Sequence, residues 1–248
     1  MKILDINVDN VSIEEAINRI DKIISSHDSQ THLVTTLNPE IALKAHKDLK
    51  YKEILNSSSL TIADGTGIIW ASKKYKNKLK AKVTGVDLIM QLAKISPSKK
   101  WRWFLLGGMP GVAKQAANNL IKKYSGINIV KADDGGVINS ENLTSQDDLI
   151  NKIAKTNANI LIVSLGAPIQ EQFINYYKNK LNVKVAIGAG GTLDFIAGIK
   201  KRAPKILCYL GLEWLWRLIK EPKRLKRIWN AVIVFPIVVR RSIKIDNK

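Results

Sequence analysis

The sequence predicts an α/β protein: a Rossmann-like, mostly parallel sheet with helices on both faces, followed by a basic helical C-terminal appendage. Three observations carry that prediction. Short β-branched or apolar runs alternate with stretches of 3.6-residue periodicity, the rhythm of a parallel sheet with crossover helices. Segments rich in Gly, Asn and Asp come directly after the apolar runs, where open α/β sheets place their functional loops. After Ala203-Pro204 the alternation stops and helix follows helix. The boundary therefore falls near residues 195–205 and divides the 248 residues into a core, 1–199, and an appendage, 200–248.

The elements follow in order. Residues 2–8 read as the first strand. Ser12 with Glu15 makes a capping box that opens a helix carrying Ile13, Ala16, Ile17 and Ile20 on one side. Residues 32–36 and 59–63 are the second and third strands, ending in TTLNPE at 35–40 and DGTG at 64–67. The fourth strand, 103–106, runs into GGMPG at 107–111 and a helix to Tyr124. The fifth, 127–132, leads to DDGG at 133–136 and then a helix over 143–156. Strands six and seven, 160–165 and 183–187, end in GAPIQE at 166–171 and GAGGTLD at 188–194.

Composition narrows the class. With 46% hydrophobic residues the chain supports a sizeable core. MKILDINVDN places acids where the apolar centre of a secretory signal lies, so a cytoplasmic protein is expected. The one cysteine, Cys208, has no disulfide partner and no ligand-spaced companion, and reads as a small buried apolar residue. His27, His32 and His46 lack ligand spacing. The net charge is +19, and residues 200–248 hold fourteen Lys and Arg against Glu213, Glu221 and Asp246. The apolar run at 228–239 falls short of the roughly twenty residues that span a bilayer. A basic amphipathic segment with Trp214, Trp216 and Trp229 among its charges suits an anionic membrane surface instead. Such charge also suits nucleic acid, but the apolar stripe and the lack of a recognisable motif argue against that partner.

The loops supply candidate chemistry. Glycines at strand-to-helix turns let backbone N–H groups approach phosphate oxygens, so Gly107, Gly108, Gly190 and Gly191 are candidates for a nucleotide diphosphate or simply for tight turns. Neither loop matches G-x-G-x-x-G or a Walker A sequence, which counts against a nicotinamide oxidoreductase. Asp194 is placed to receive ribose or base groups. Asp64 ends an apolar strand beside Gly65, where partial desolvation would raise its pKa and suit a general base; a cap of the helix starting near Gly67 is the competing reading. Asn38 before Pro39 is either an orienting amide or an N-cap with Pro at N1. Asp133-Asp134 lies in a turn without a third ligand, and Asp147-Asp148 suits a helix start, so no metal and no other cofactor is expected. Arg217, Arg224 and Arg227, at i, i+7 and i+10, share one side of a continuous helix and form a candidate diphosphate grip.

Seven blocks then stand in order: TTLNPEIALKA (35–45), ADGTGI (63–68), VTGVDL (83–88), FLLGGMPGVAKQAA (104–117), LGAPIQEQF (165–173), GAGGTLDFIAGIKKRAP (188–204) and GLEWLWRLIKEPKRLKR (211–227). Together they resemble the WecG/TagA/CpsF family of bacterial glycosyltransferases, from the first strand to about residue 230. The resemblance implies inverting transfer of an N-acetylmannosamine-type sugar from a UDP-sugar, a substrate, to the 4-hydroxyl of N-acetylglucosamine on undecaprenyl diphosphate. The product would serve wall teichoic acid linkage units or related polysaccharides. It further implies Asp64 as base, Thr36 and Asn38 in the same pocket, Gln170 near sugar or acceptor, Asp194 near the uracil nucleoside, and Arg217, Arg224 and Arg227 on the lipid diphosphate. The protein would then sit peripherally on the inner face of the cell membrane. Two departures are visible. Gly135-Gly136-Val137 lacks the aromatic that family members often carry there, and Lys82 stands where an Arg is common, offering a point charge to the substrate without the bidentate fork. A pocket incomplete without its appendage is also compatible with a homo-oligomer in solution.

Overall fold

The computed structural model describes residues 1–204, 206–207 and 211–246, so Cys208 lies outside the described residues. The chain opens on a two-stranded antiparallel hairpin, β1 (Lys2–Ile3) and β2 (Ile6–Asn7), and not on a strand of the main sheet. The expected single strand over 2–8 is broken because Leu4 and Asp5 take positive φ, 52° and 63°, and turn the chain back in two residues. Helix α1 (Ile13–Ile24) begins at the expected capping box, with Ser12 and Glu15 each bonding the other's backbone N–H.

The remaining strands build one parallel sheet. Strand β3 (His32–Leu37) is followed by α2 (Pro39–Lys47) and α3 (Leu49–Asn56), then β4 (Leu60–Ala63) by α4 (Thr66–Lys74) and α5 (Gly85–Lys99). Next come β5 (Arg102–Gly107), α6 (Val112–Lys123), β6 (Asn128–Asp133), α7 (Asp147–Lys155), β7 (Ile160–Ser164), α8 (Ile169–Tyr177), β8 (Val185–Gly188) and α9 (Thr192–Ile196). The spatial order is β4-β3-β8-β7-β5-β6, all parallel, with Thr35 opposite Thr61 on one side and Gly188 on the other. β8 is added last and inserts between β3 and β7, joining the two halves of the sheet. At such a junction an open parallel sheet leaves a crevice beyond the carboxyl ends of its strands.

Both faces of the inner strands are covered, which explains their unbroken apolar runs. Trp103, Leu105, Ile160 and Ile162 face α1 and α5; Phe104, Leu106, Leu161 and Val163 face α7 and α8. A third cluster at the β4 edge joins the hairpin residues Ile3, Leu4 and Ile6 to Tyr51, Leu55 and Ile68.

Beyond the core lie α10 (Glu213–Lys220), a 3-10 turn (Pro222–Arg224), α11 (Leu225–Trp229), a π turn (Asn230–Val234) and α12 (Phe235–Asp246). The continuous helix expected for Arg217, Arg224 and Arg227 is interrupted. Pro222 disfavours helical geometry at the preceding residue, and Glu221 is extended at φ −135°, ψ 76°. The apolar run at 228–239 divides its faces. Phe235 and Val239 are fully buried in the third cluster, whereas Leu225, Trp229, Ile233 and Ile237, spaced by four, are exposed. No helix among the described residues is long and apolar enough to cross a membrane.

Candidate active site

A cleft of about 460 Å³ opens at the carboxyl ends of the strands, walled by the loops after β3, β4, β5, β6, β7 and β8 and roofed by α10 and the turns that follow it. Thr36, Asn38, Asp64, Gln170, Gly108, Gly190, Gly191, Asp194, Arg217, Arg224 and Arg227 all line it. Gly107 and Lys82 do not. Gly107 lies beneath the wall at φ +102°, where a Cβ would come within 2.6 Å of the Ser164 carbonyl oxygen. Lys82 acts on the site only through its charge, which favours the ionised form of Asp64.

Asp64 follows β4 and is partly open to the cleft. Its Oδ2 accepts the Gly85 N–H of α5 at 3.3 Å. It makes no cap for α4, whose N-cap is Gly65, so the capping reading is set aside. Desolvation pushes the Asp64 pKa up to about 6; the Gly85 N–H and Arg217 pull it down, and Glu213 adds to the rise. The N-cap reading of Asn38 is realised. Its Oδ1 caps α2 by accepting the Ile41 N–H at 3.0 Å, with Pro39 at N1, and the residue lines the cleft. Thr36 donates its hydroxyl to the Gly188 carbonyl at 2.9 Å and ties β3 to β8 beneath the cleft floor.

Gln170 is fully buried and is held at both ends. Its Nε2 donates to Glu171 Oε1 at 2.6 Å and its Oε1 accepts the Gly190 N–H at 2.8 Å. Glu171, also buried, accepts the Tyr51 hydroxyl at 2.9 Å, and burial raises its pKa against those hydrogen bonds. The amide therefore shapes the turn at the end of β8. The Gly190 carbonyl in turn accepts the Ser164 hydroxyl. The N–H groups of Gly108 and Gly190, read as phosphate donors, are thus used inside the protein, the first by the Ser164 carbonyl at 3.1 Å.

The charged groups at the roof are paired. Asp194 holds Lys200 at 2.7 Å, Arg217 binds Glu213 at 2.6 Å and lies over the Phe195 ring, Arg224 binds Glu221 at 2.6 Å, and Arg227 reaches Glu40 at 2.7 Å. The acidic pairs weighed for metal have other partners: Asp133 holds Lys152 and accepts the Gly135 N–H, and Asp147 meets Lys180.

This constellation, a carboxyl raised towards neutral pH facing a set of arginines, coincides with a match over residues 1–248 to the sequence model of the Glycosyl transferase WecG/TagA/CpsF family. The chain belongs to this family. Among curated members, it is 36% identical over 196 residues to the N-acetylglucosaminyldiphosphoundecaprenol N-acetyl-beta-D-mannosaminyltransferase of Bacillus subtilis (strain 168), covering 79% of this chain and 74% of the relative. The protein of the same name from Staphylococcus aureus (strain MRSA252) is 31% identical over 245 residues, 99% of this chain and 94% of the relative. For a WecG/TagA/CpsF glycosyltransferase the reaction needs a base for an acceptor hydroxyl and fixed positive charge near phosphate. Asp64, Arg217, Arg224 and Arg227 line one cleft.

Several residues of this family member escaped the reading of the sequence. Glu40 reaches Arg227 from the core, and Glu213 pairs with Arg217 one turn along the same helix. Arg202 forks onto Asp87 at 2.7 and 3.2 Å and ties the chain after α9 to α5. Glu171 had a visible signal, an acid among Phe173 and Ile174 on the buried side of α8. Val137 stands at the lip, 82% exposed, where an aromatic was the family expectation.

Proposed function

We propose that the protein transfers N-acetylmannosamine, or a closely related sugar, from a UDP-sugar to the 4-hydroxyl of N-acetylglucosamine carried on undecaprenyl diphosphate. The reaction inverts the anomeric centre and serves linkage-unit synthesis for wall teichoic acid or a related polysaccharide. The observation that carries this reading is the meeting of Asp64, with its pKa near 6, and Arg217, Arg224 and Arg227 in one cleft formed by core and C-terminal segment together. Asp64 takes the proton of the acceptor hydroxyl as that oxygen bonds to the anomeric carbon. The bond from that carbon to the UDP oxygen breaks and UDP leaves with the electron pair. The arginines exchange their carboxylate partners for the acceptor diphosphate, and no metal ion is invoked. The exposed stripe of Leu225, Trp229, Ile233 and Ile237 rests on the inner membrane face and brings the roof to the lipid-linked acceptor.

The test is a donor screen of the purified full chain with a water-soluble, short-chain N-acetylglucosamine-diphospho-lipid. UDP-N-acetylmannosamine, its uronic acid, UDP-N-acetylglucosamine and UDP-glucose are compared by mass spectrometry of the product. Transfer from UDP-N-acetylmannosamine is expected to dominate and to fall sharply in Asp64→Asn. Absence of transfer from all four donors overturns the proposal.

A further inference from the structure

The C-terminal segment is not the only basic part of the molecule. Between α4 and α5 the chain reads KKYKNKLKAK (73–82). Lys73, Lys74, Lys76 and Lys78 are exposed, and none forms an ion pair among the described residues, unlike Lys80 with Glu15 or Lys99 with Asp21. Helix α12 packs against α4 and carries Arg240, Arg241 and Lys244, also exposed and also without an acid among the described residues. The two sets meet at Trp70 of α4, whose ring has Lys74 Nζ at 5.8 Å and the Arg240 guanidinium at 5.7 Å. Neither α4 nor the turn after it contains an acid. Of the acids on the adjoining elements, Asp5 pairs with Lys52 and Glu40 with Lys44 and Arg227, while Asp246 closes α12 itself.

Seven like charges gathered at one corner repel one another unless an external anion answers them. We propose that the lysine-rich turn after α4 and the basic end of α12 form one patch that docks on an anionic phospholipid bilayer, so that the core itself grips the membrane alongside the C-terminal stripe. A bilayer fits better than a nucleic acid. The helical run that carries Arg240 and Arg241 presents Leu225, Trp229, Ile233 and Ile237 to solvent every four residues, and that apolar row needs a phase a polynucleotide does not offer. The inference rests on the reading of the protein as an enzyme of a lipid-linked acceptor. Two anchors, one on the core and one on the roof, would hold the cleft at a fixed height above the headgroups.

The test compares sedimentation of the full chain with vesicles of phosphatidylcholine alone and of phosphatidylcholine with phosphatidylglycerol. The patch variant carries Lys73→Gln, Lys74→Gln, Lys76→Gln and Lys78→Gln; the control carries Lys94→Gln, Lys114→Gln, Lys122→Gln and Lys123→Gln, removing equal charge from α5 and α6. Loss of four surface cations facing anionic lipid lowers binding by about tenfold or more after screening. The patch variant is expected to show that loss on phosphatidylglycerol vesicles and a shallower salt dependence, while the control keeps its binding. Turnover on the water-soluble acceptor stays unchanged in both, and turnover on acceptor embedded in vesicles falls only in the patch variant. Equal binding by the two variants, or loss of oligonucleotide binding with vesicle binding intact, overturns the proposal. Sedimentation is read without turnover, so a failure of the transferase reading shows separately, as an inactive unsubstituted protein on the soluble acceptor.

Discussion

Arg227, from the C-terminal segment, holds Glu40, the second residue of α2, through two nitrogens that reach the same carboxylate oxygen at 2.7 and 2.8 Å. Lys44 approaches the other oxygen at 3.2 Å. Burial alone would raise the Glu40 pKa, but Arg227 and Lys44 outweigh it and keep the carboxylate ionised below its ordinary range. Arg217 and Arg224 are each held through one nitrogen by an acid of their own segment, Glu213 and Glu221. Each of the three arginines proposed to grip the diphosphate therefore already faces a carboxylate at hydrogen-bonding distance.

Releasing one arginine should favour the acceptor. Glu40→Gln is expected to lower the acceptor KM about two- to fivefold, the size of a partly exposed ion pair, with kcat nearly unchanged. Steady-state kinetics on the soluble acceptor check this, and a raised KM would show that Glu40 positions Arg227 and does not compete for it.

Asp64→Asn should separate activity from stability. Loss of the base is expected to lower turnover by about 10²–10⁴-fold, and in the unsubstituted protein kcat/KM should rise with pH through about 6 as Asp64 ionises. The folded-state pKa is above that of the unfolded chain, so the folded protein binds the proton more tightly. The penalty for burying the charge is absent below about pH 4, grows between about pH 4 and 6, and is complete above that. Near neutral pH the variant should consequently be more stable, on the order of 2–3 kcal/mol, with the gain vanishing towards pH 4. Urea denaturation at the two pH values decides it.

Tyr51→Phe removes the hydroxyl that Glu171 accepts and leaves a buried carboxyl oxygen without its donor. A loss of about 1–3 kcal/mol is expected in chemical denaturation. Because Glu171 fixes Gln170, and Gln170 fixes the Gly190 turn, the donor KM should rise while the acceptor KM holds. Equal rises in both would assign the network to general stability.

Phe235→Ala and Trp229→Ser should have opposite signatures although only five residues lie between them. Phe235 is fully buried in the cluster at the β4 edge, and its truncation is expected to destabilise the fold by about 3–5 kcal/mol. Trp229 is 57% exposed, so its replacement should leave the melting temperature nearly unchanged and weaken vesicle binding. For the same reason, deletion of residues 200–248 uncovers core as well as removing the roof.

The elements themselves were legible because each is encoded within a few neighbouring residues. Ser12 and Glu15 announced α1, Asn38 and Pro39 announced α2, and the apolar runs at β5, β7 and β8 needed no partner to be recognised. The hairpin at residues 2–7 was not, since nothing in the apolar pattern of those residues signals positive φ at Leu4 and Asp5. Most of the candidate site was legible too, because open parallel sheets place their loops at one edge and the polar residues cluster in those loops.

By itself the sequence determined the parallel α/β architecture, the loops that meet at the carboxyl ends of the strands, and a basic, apolar C-terminal segment. The tertiary structure alone decided which groups face one another. Tyr51 and Glu171 are 120 residues apart, and Arg227 and Glu40 are 187. It also divided the last helices between Phe235 and Val239, which complete the core, and Trp229 and Ile233, which face outward. Periodicity defines the sides of a helix, but only packing against α2 and α4 selects the one that meets protein.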